Sequence, residues 1–278
     1  YDRVVGIKKV VVLIPCYNEE EGIGMVIESI PQEQLERSGY AVSILVIDNN
    51  SKDKTAAVAL SKGASVVKET KQGKGCAIMK GFKSVPSDTD IVVMIDGDAS
   101  YDLRELPRLI EPIGSGFADA IVGTRLNGKI TSHAMKGFNR FGNWLFTFLA
   151  RVSYKTNVTD VCSGFFAWKK SVVDDLAYVL RSDGFSIEME MIAKMARMDY
   201  ACYSVPISYK LRNGKSNLAP LKDGARILYT WAKYLAWKPK IFPNTQAVPL
   251  TQEVSNYTIN EMNPLAQQDA EPQKVEAS

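Results

Sequence analysis

Apolar positions follow two rhythms along the first 125 residues. Short unbroken runs at Val10–Ile14, Val42–Ile47, Ser65–Val67, Ile91–Ile95 and Ala120–Gly123 read as strands buried on both faces. Between them, Glu19–Ile30 carries Ile23, Val26, Ile27 and Ile30 at helical spacing. Asp53–Lys62, with Ser51 as a plausible N-cap, Cys76–Val85 and Leu103–Ile110 also read as helices. This alternation predicts an α/β fold, a mostly parallel sheet with helices on both faces. In such sheets the ligand lies beyond the carboxyl ends of the strands, so the polar residues after each strand are where function is sought.

The second half is less regular. Phe138–Val152 reads as an aromatic-rich helix, and Lys170–Leu180 and Ser186–Arg197 as further helices. Asp160–Phe166 is a polar turn entering an apolar run, and Ala201–Tyr209 a strand. Leu221–Trp237 predicts an amphipathic helix. Leu221, Ala225, Leu228, Ala232 and Leu235 fall near one face, among Lys222, Arg226, Lys233, Trp231, Tyr234 and Trp237. From Asn244 onward no period remains, so an acidic disordered tail at 244–278 is expected behind a body at 1–243.

Charge changes the picture through its distribution. The formal net charge of the 278 residues is only +3, with 46% of residues apolar. The tail holds five acids and one base, leaving the body at +7, and residues 210–240 alone hold eight bases and one acid. One short stretch thus carries the excess. The single histidine, His133, excludes any two-His zinc site and reads as a surface residue in a polar stretch. Cys16, Cys76, Cys162 and Cys202 form no C-x-x-C pair and read as reduced, mostly buried thiols. No run of 18 apolar residues predicts a spanning helix, and no leader pattern is read at the start. No basic–aromatic motif of a nucleic-acid reader occurs.

Candidate chemistry lies at four strand ends: Pro15-Cys16-Tyr17-Asn18-Glu19-Glu20, Asp48-Asn49-Asn50-Ser51-Lys52-Asp53, Asp96-Gly97-Asp98 and Thr124-Arg125. Two carboxylates at i and i+2 beyond a strand can converge on a hard divalent cation and the diphosphate it carries. Asp48 can accept hydrogen bonds from a base or ribose. The glycines of Gly73-Lys74-Gly75 allow close backbone approach to a ligand, and Lys74 can meet a phosphate.

Together, Pro15–Glu19, Asp48–Asp53, Gly73–Gly75 and Asp96–Asp98 resemble the GT-A glycosyltransferases of family 2 over roughly residues 8–240. Their subgroup that makes polyprenyl-phosphate or dolichol-phosphate sugars is the most similar. The resemblance implies a Rossmann-like GT-A fold, with a nucleotide-binding half at about 8–125, an acceptor half at about 126–218 and the amphipathic helix at about 220–240. It implies that Pro15, Tyr17, Glu19, Asp48 and Asn50 frame the nucleoside, with Lys74 and Gly97 beside the diphosphate. Asp96 and Asp98 would form the D-x-D pair holding Mg2+ or Mn2+. Ser163-Gly164-Phe165 resembles the subgroup's turn beside the acceptor, and Glu188 and Glu190 fall on its acidic helix near the sugar. Tyr209–Leu218, containing Arg212 and Ser216, resembles its phosphate-binding segment. Asn49 stands where an Asp is common and Ser100 where mannosyl-transferring members carry Gln, which keeps UDP-glucose and UDP-N-acetylhexosamine beside GDP-mannose as donors. The chain also lacks the transmembrane helices that many members append.

The implied reaction is inverting displacement at the anomeric carbon, from a nucleotide-sugar donor to a polyprenyl phosphate. Arg212 would clamp phosphate, and Arg125 and Arg140 would meet the acceptor phosphate. A hydroxyl acceptor would instead need Glu188 or Glu190 as base. A peripheral position on the cytoplasmic face of the membrane, through helix 221–237, is expected. A non-catalytic nucleotide-sugar-binding protein is the alternative of another class.

Overall fold

The computed structural model describes residues 6–132, 134–212 and 218–239. His133, Ser216, Lys240 and the whole 244–278 segment lie outside the described residues.

β1 (Lys8–Cys16) leads into α1 (Glu20–Glu28), α2 (Gln32–Arg37) and β2 (Tyr40–Asp48). α3 (Thr55–Ser61), β3 (Ser65–Lys68), α4 (Lys74–Ser84) and β4 (Ile91–Met94) follow. A 3-10 turn at Leu103–Glu105 opens α5 (Leu106–Gly114), where Pro107 in the first turn leaves no intrahelical donor wanting. β5 (Ala120–Ile130), α6 (Gly137–Tyr154), β6 (Phe166–Lys169) and α7 (Lys170–Val179) build the second half. α8 (Ile187–Arg197), β7 (Cys202–Tyr209) and α9 (Pro220–Tyr234) complete it.

The seven strands form one sheet in the order β3-β2-β1-β4-β6-β5-β7. β6 runs antiparallel to both β4 and β5, and all other pairs are parallel. The sequence reading missed β6 and α2, because a four-residue apolar run and a six-residue polar helix are both too short for a period to register. It also ended the fifth strand too soon. Thr124 and Arg125 lie inside β5, whose pairing with β7 breaks after Thr124↔Pro206 and resumes at Lys129↔Ser208. This irregularity separates the buried half of β5 from its half-exposed end.

Alternation along the strands sends successive residues to opposite layers. Val11, Leu13, Leu45, Ile47, Val92 and Met94 join one core, with α4, α6, α7, α8 and α9 over it. Val10, Val12, Ile14, Val46, Val93 and Ile95 join the other, with α1, α2, α3 and α5 over it. In the first layer Trp168 is fully buried, stacked on Phe166 and edge-on to Phe82 at 5.3 Å. Cys16, Cys76 and Cys202 are buried, Cys162 is half-buried, and none forms a disulfide.

Candidate active site

Hydrogen bonds knit the ends of β1 and β2 into one surface. The pair runs in register to Cys16↔Asp48, and Asn49 N donates to the Cys16 carbonyl at 2.8 Å. Asn18 takes a left-handed conformation, its amide donating to Ser51 Oγ (3.0 Å) while its Oδ1 accepts from Lys52 N (2.8 Å). Glu19 N donates to Thr55 Oγ1 at 2.9 Å. Pro15 and Tyr17 are half-buried on this surface. Asn50 is left-handed beside them, and Asp48 is buried with Oδ1 accepting from Ser51 N.

The departure at Asn49 has a local cause. Its carboxamide donates to the carbonyls of Glu69 (3.2 Å) and Lys71 (2.8 Å) and accepts from Gly73 N (2.8 Å). An aspartate would lack both donors and would set charge against two carbonyls. Ser100 is equally local, donating from Oγ (2.5 Å) and N (3.1 Å) to Asp98 Oδ1.

Asp96, Gly97 and Asp98 follow β4 at the same sheet end. Lys74 Nζ lies 2.8 Å from Asp96 Oδ1 and 2.7 Å from Glu188 Oε1. Burial opposes its charge, but the two carboxylates outweigh burial and hold the ammonium pKa above the ordinary lysine value. Asp98 is 4% exposed, and burial and the neighbouring Asp96 raise its pKa. Arg212 bridges across, with Nη1 3.4 Å from Asp98 Oδ2 and Nη2 3.1 Å from Glu19 Oε1. Burial lifts the Glu19 carboxyl to about 7 despite Arg212. Two cations from distant elements thus sit on carboxylates whose burial and proximity call for positive charge. Among the described residues no group of three or more His, Cys, Asp or Glu side chains is placed to hold a metal. The oxygen pair of Asp96 and Asp98 suits a hard cation completed by water and diphosphate oxygens.

Glycines fix the surroundings, in one case differently from expectation. Gly73 has φ +138, and a Cβ on Gly75 would come within 2.0 Å of the Ser182 carbonyl. Asp183 O accepts from Gly75 N (2.9 Å) and Cys76 N (3.3 Å), capping α4. The close approach these glycines permit is therefore to the chain at 182–183, and Lys74 meets carboxylates. At Gly164 a Cβ would lie 1.9 Å from Asp96 Oδ2, so the Ser163-Gly164 turn packs directly on the acidic pair. Gly164 N donates to Tyr101 Oη at 2.7 Å. Tyr101 was not singled out from sequence, and its only signal is its place just after the acidic motif. Ser163 is fully buried, its Oγ accepting from Phe165 N.

Two further expectations are corrected. Arg125, expected to meet the acceptor phosphate, is committed to a buried carboxylate instead of standing open. It is 8% exposed, and Nε and Nη2 pair bidentately with Asp160 at 2.8 and 2.9 Å. Asp160 also accepts from Asn143 Nδ2 at 2.7 Å, and the guanidinium lies over the Tyr209 ring. Glu190 is no available base. It is fully buried and accepts from Arg181 N (3.0 Å), Ser182 N (2.6 Å), Tyr234 Oη (2.6 Å) and Lys194 Nζ. Burial opposes its ionised form, but those donors keep its pKa below the ordinary value. Residues two apart on a helix point about 200° apart. Glu188 accordingly faces Lys74 while Glu190 faces α9. Arg140 stands exposed on α6, lining a cavity of about 940 Å3 with Asn127, Trp144, Phe148, Arg151 and Lys155.

Comparison with known proteins places this arrangement. Residues 11–177 match the model described as Glycosyl transferase family 2. The chain is 32% identical to the low-salt glycan biosynthesis hexosyltransferase Agl6 of Haloferax volcanii, covering 77% of this chain and 51% of that protein. The chain thus spans about half of that relative's length. A dolichyl-phosphate hexose transferase of the same organism is 29% identical over 78% of this chain and 89% of its own. Among solved structures, glucosyl-3-phosphoglycerate synthase from Mycobacterium tuberculosis, in complex with Mn2+, UDP and glucosyl-3-phosphoglycerate, superposes with a TM-score of 0.63. It covers 84% of this chain and 81% of its own at 20% identity, a likeness of fold. The matched span runs from within β1 past β6 and includes the acidic pair at the sheet's carboxyl end, and the chain belongs to glycosyl transferase family 2.

Proposed function

We propose that this chain transfers a hexose, with inversion, from a nucleoside diphosphate sugar to a polyprenyl phosphate. The observation that carries the reading is the Asp96/Asp98 pair, at the carboxyl end of a parallel strand and already covered by Lys74 and Arg212. Asp96 and Asp98 would hold Mg2+ or Mn2+, whose chemistry is to stabilise charge developing on the departing diphosphate. The solved relative's complex with Mn2+ and UDP supports that choice. Pro15, Tyr17, Asp48 and Asn50 line the surface that would take the nucleoside. Arg212, at a half-buried position, would move between Asp98 and phosphate as the donor arrives.

The acceptor reading is supported by the dolichyl-phosphate relative and by proton economy. A phosphate oxygen is ionised at neutral pH and needs no general base. Of the two expected bases, Glu190 is saturated and Glu188 is itself paired with Lys74. The expected result is an organic-soluble glycolipid when UDP-hexose, Mn2+ and a short-chain polyprenyl phosphate are combined. Transfer to soluble alcohols with none to the polyprenyl phosphate would refute the acceptor class.

The same reading puts the chain at a membrane surface, by two helices rather than one. No helix among the described residues is long and apolar enough to cross a membrane. α9 packs on the core through Ile227, Thr230 and Tyr234, while Leu221, Ala225, Leu228, Ala232 and Leu235 stay exposed. The apolar stripe read from sequence is thus the outer face. α6 lies alongside, with Tyr154 Oη donating to the Trp231 carbonyl and Trp231 Nε1 to Ser153 Oγ. It exposes Phe138, Phe141, Trp144, Phe148 and Val152 and carries no acidic residue. Aromatic residues bordered by Arg151, Lys155, Lys222 and Lys233 suit an anionic interface, each basic residue contributing about 1 kcal/mol. Changing those four to Gln is expected to weaken binding to anionic vesicles by roughly 10²–10³-fold. Binding indifferent to these changes and to salt, measured by vesicle sedimentation, would remove the membrane reading.

A further inference from the structure

The deepest charge cluster outside the acidic pair is built around Glu190, and it joins two distant parts of the molecule. On one side Tyr234 Oη of α9 donates to Glu190 Oε1 at 2.6 Å. On the other, the amides of Arg181 and Ser182 donate to its two oxygens at 3.0 and 2.6 Å. Lys194, fully buried, pairs with Glu190 and with the Val179 carbonyl, its ammonium over the Tyr234 and Trp237 rings. Glu190 therefore ties the 181–182 backbone, in the loop between α7 and α8, to α9.

That loop is what the Gly73–Gly75 turn rests on. The Asp183 carbonyl caps α4 through Gly75 N and Cys76 N, and the Ser182 and Asp183 carbonyls fill the space that side chains at Gly75 and Gly73 would need. Lys74 sits between these glycines, with Nζ on Asp96 and Glu188. Every link from Tyr234 to Asp96 is a direct contact without a gap. A shift of the loop has no slack to absorb it, since the 182–183 backbone touches the turn.

We propose that Glu190 is a positioning residue that couples the seating of α9 to the aim of Lys74 at Asp96. The membrane-facing helix thereby biases the charge arrangement of the candidate active site. The inference deepens the proposed function, because it takes Asp96 as part of the donor site. Its contact chain, however, can be tested without donor, acceptor or metal. Glu188, Asp96, Asp183, Lys71, Arg181, Lys194 and Lys233 are the charged groups around the path; Lys194 also touches the Tyr234 ring and the Val179 carbonyl, and Glu190 is the group that joins Tyr234 to the 181–182 amides.

The test is residue-resolved acylation of lysines in the folded full chain, read by mass spectrometry. Lys74, 16% exposed at its side chain and doubly paired, should be slow in the wild type. Tyr234→Phe removes one hydroxyl and keeps the ring. It should speed Lys74 labelling about 5-fold, the shift worth one buried hydrogen bond. Glu190→Gln should speed it at least about 10-fold, since it weakens all four bonds. Lys169, paired with Asp119 on the far side of the sheet, is the control and should not change. Glu190→Gln risks unfolding, with Lys194 left without its carboxylate partner, so the milder Tyr234→Phe carries the decision. A Lys74 rate unchanged in Tyr234→Phe, or a rise shared equally with Lys169, overturns the proposal. Failure of the transferase reading would appear only in the sugar-transfer assay and would leave the labelling result standing.

Discussion

Asp98→Asn is expected to lower turnover by roughly 10³-fold, the scale of losing a preorganised charge at a transition state, with little loss of fold. Asp98 is buried, with Oδ1 accepting twice from Ser100 and Oδ2 facing Arg212. The substitution keeps the shape and removes the charge, so it removes a candidate metal ligand. Its stability effect has two opposing parts. Burial and Asp96 raise the folded pKa of Asp98, so its ionised form costs stability at neutral pH. A neutral residue relieves that cost and offsets the weakened Ser100 bonds. The melting temperature should therefore stay within a few degrees of wild type while sugar transfer collapses. Turnover within ten-fold of wild type would remove Asp98 from the chemistry.

Asp160→Ala should have the largest effect on stability. It strands the Arg125 guanidinium at 8% exposure and leaves Asn143 Nδ2 without its acceptor. Breaking a buried pair from one side costs about 3–5 kcal/mol, which for a domain of this size lowers the melting temperature by about 10 °C. The double variant Arg125→Met, Asp160→Leu removes both charges and should recover most of that loss. It also separates two roles for Arg125. If the guanidinium serves only to close the acceptor half, the double variant keeps transferring sugar. Loss of transfer with stability recovered would return Arg125 to the acceptor phosphate.

The strand ends were legible because each motif is local. Glu19, Asp48, Asp96 and Asp98 lie within a few residues of an apolar run, and the parallel fold alone brings those ends together. Arg125 and Asp160 are 35 residues apart on a strand and a loop, so no periodicity announces their pairing. Glu188 and Glu190 looked like a pair because sequence shows spacing and hides azimuth. Only the packing of α8 on all sides reveals that they face opposite partners. Asn49 was legible as a departure from the motif, but the bonds by which its carboxamide holds the 69–73 loop were not. α9 was legible as amphipathic, but which of its faces meets the core was not, since both carry aromatic and aliphatic side chains.

The antiparallel β6 between β4 and β5 has a consequence for the order in which the chain is made. β4 is wholly apolar and buried, and its second edge is filled only by β6, roughly 70 residues later in the sequence. At about 5–20 residues per second, a ribosome leaves that edge open for roughly 4–14 s after β4 emerges. The half-sheet of β3, β2, β1 and β4 can pair during that interval, since every strand it needs is already present. It then offers a row of unpaired backbone groups beside an apolar face, the combination most prone to recruit another nascent chain. Premature termination between residues 95 and 165 should therefore yield aggregates rather than a soluble nucleotide-binding fragment.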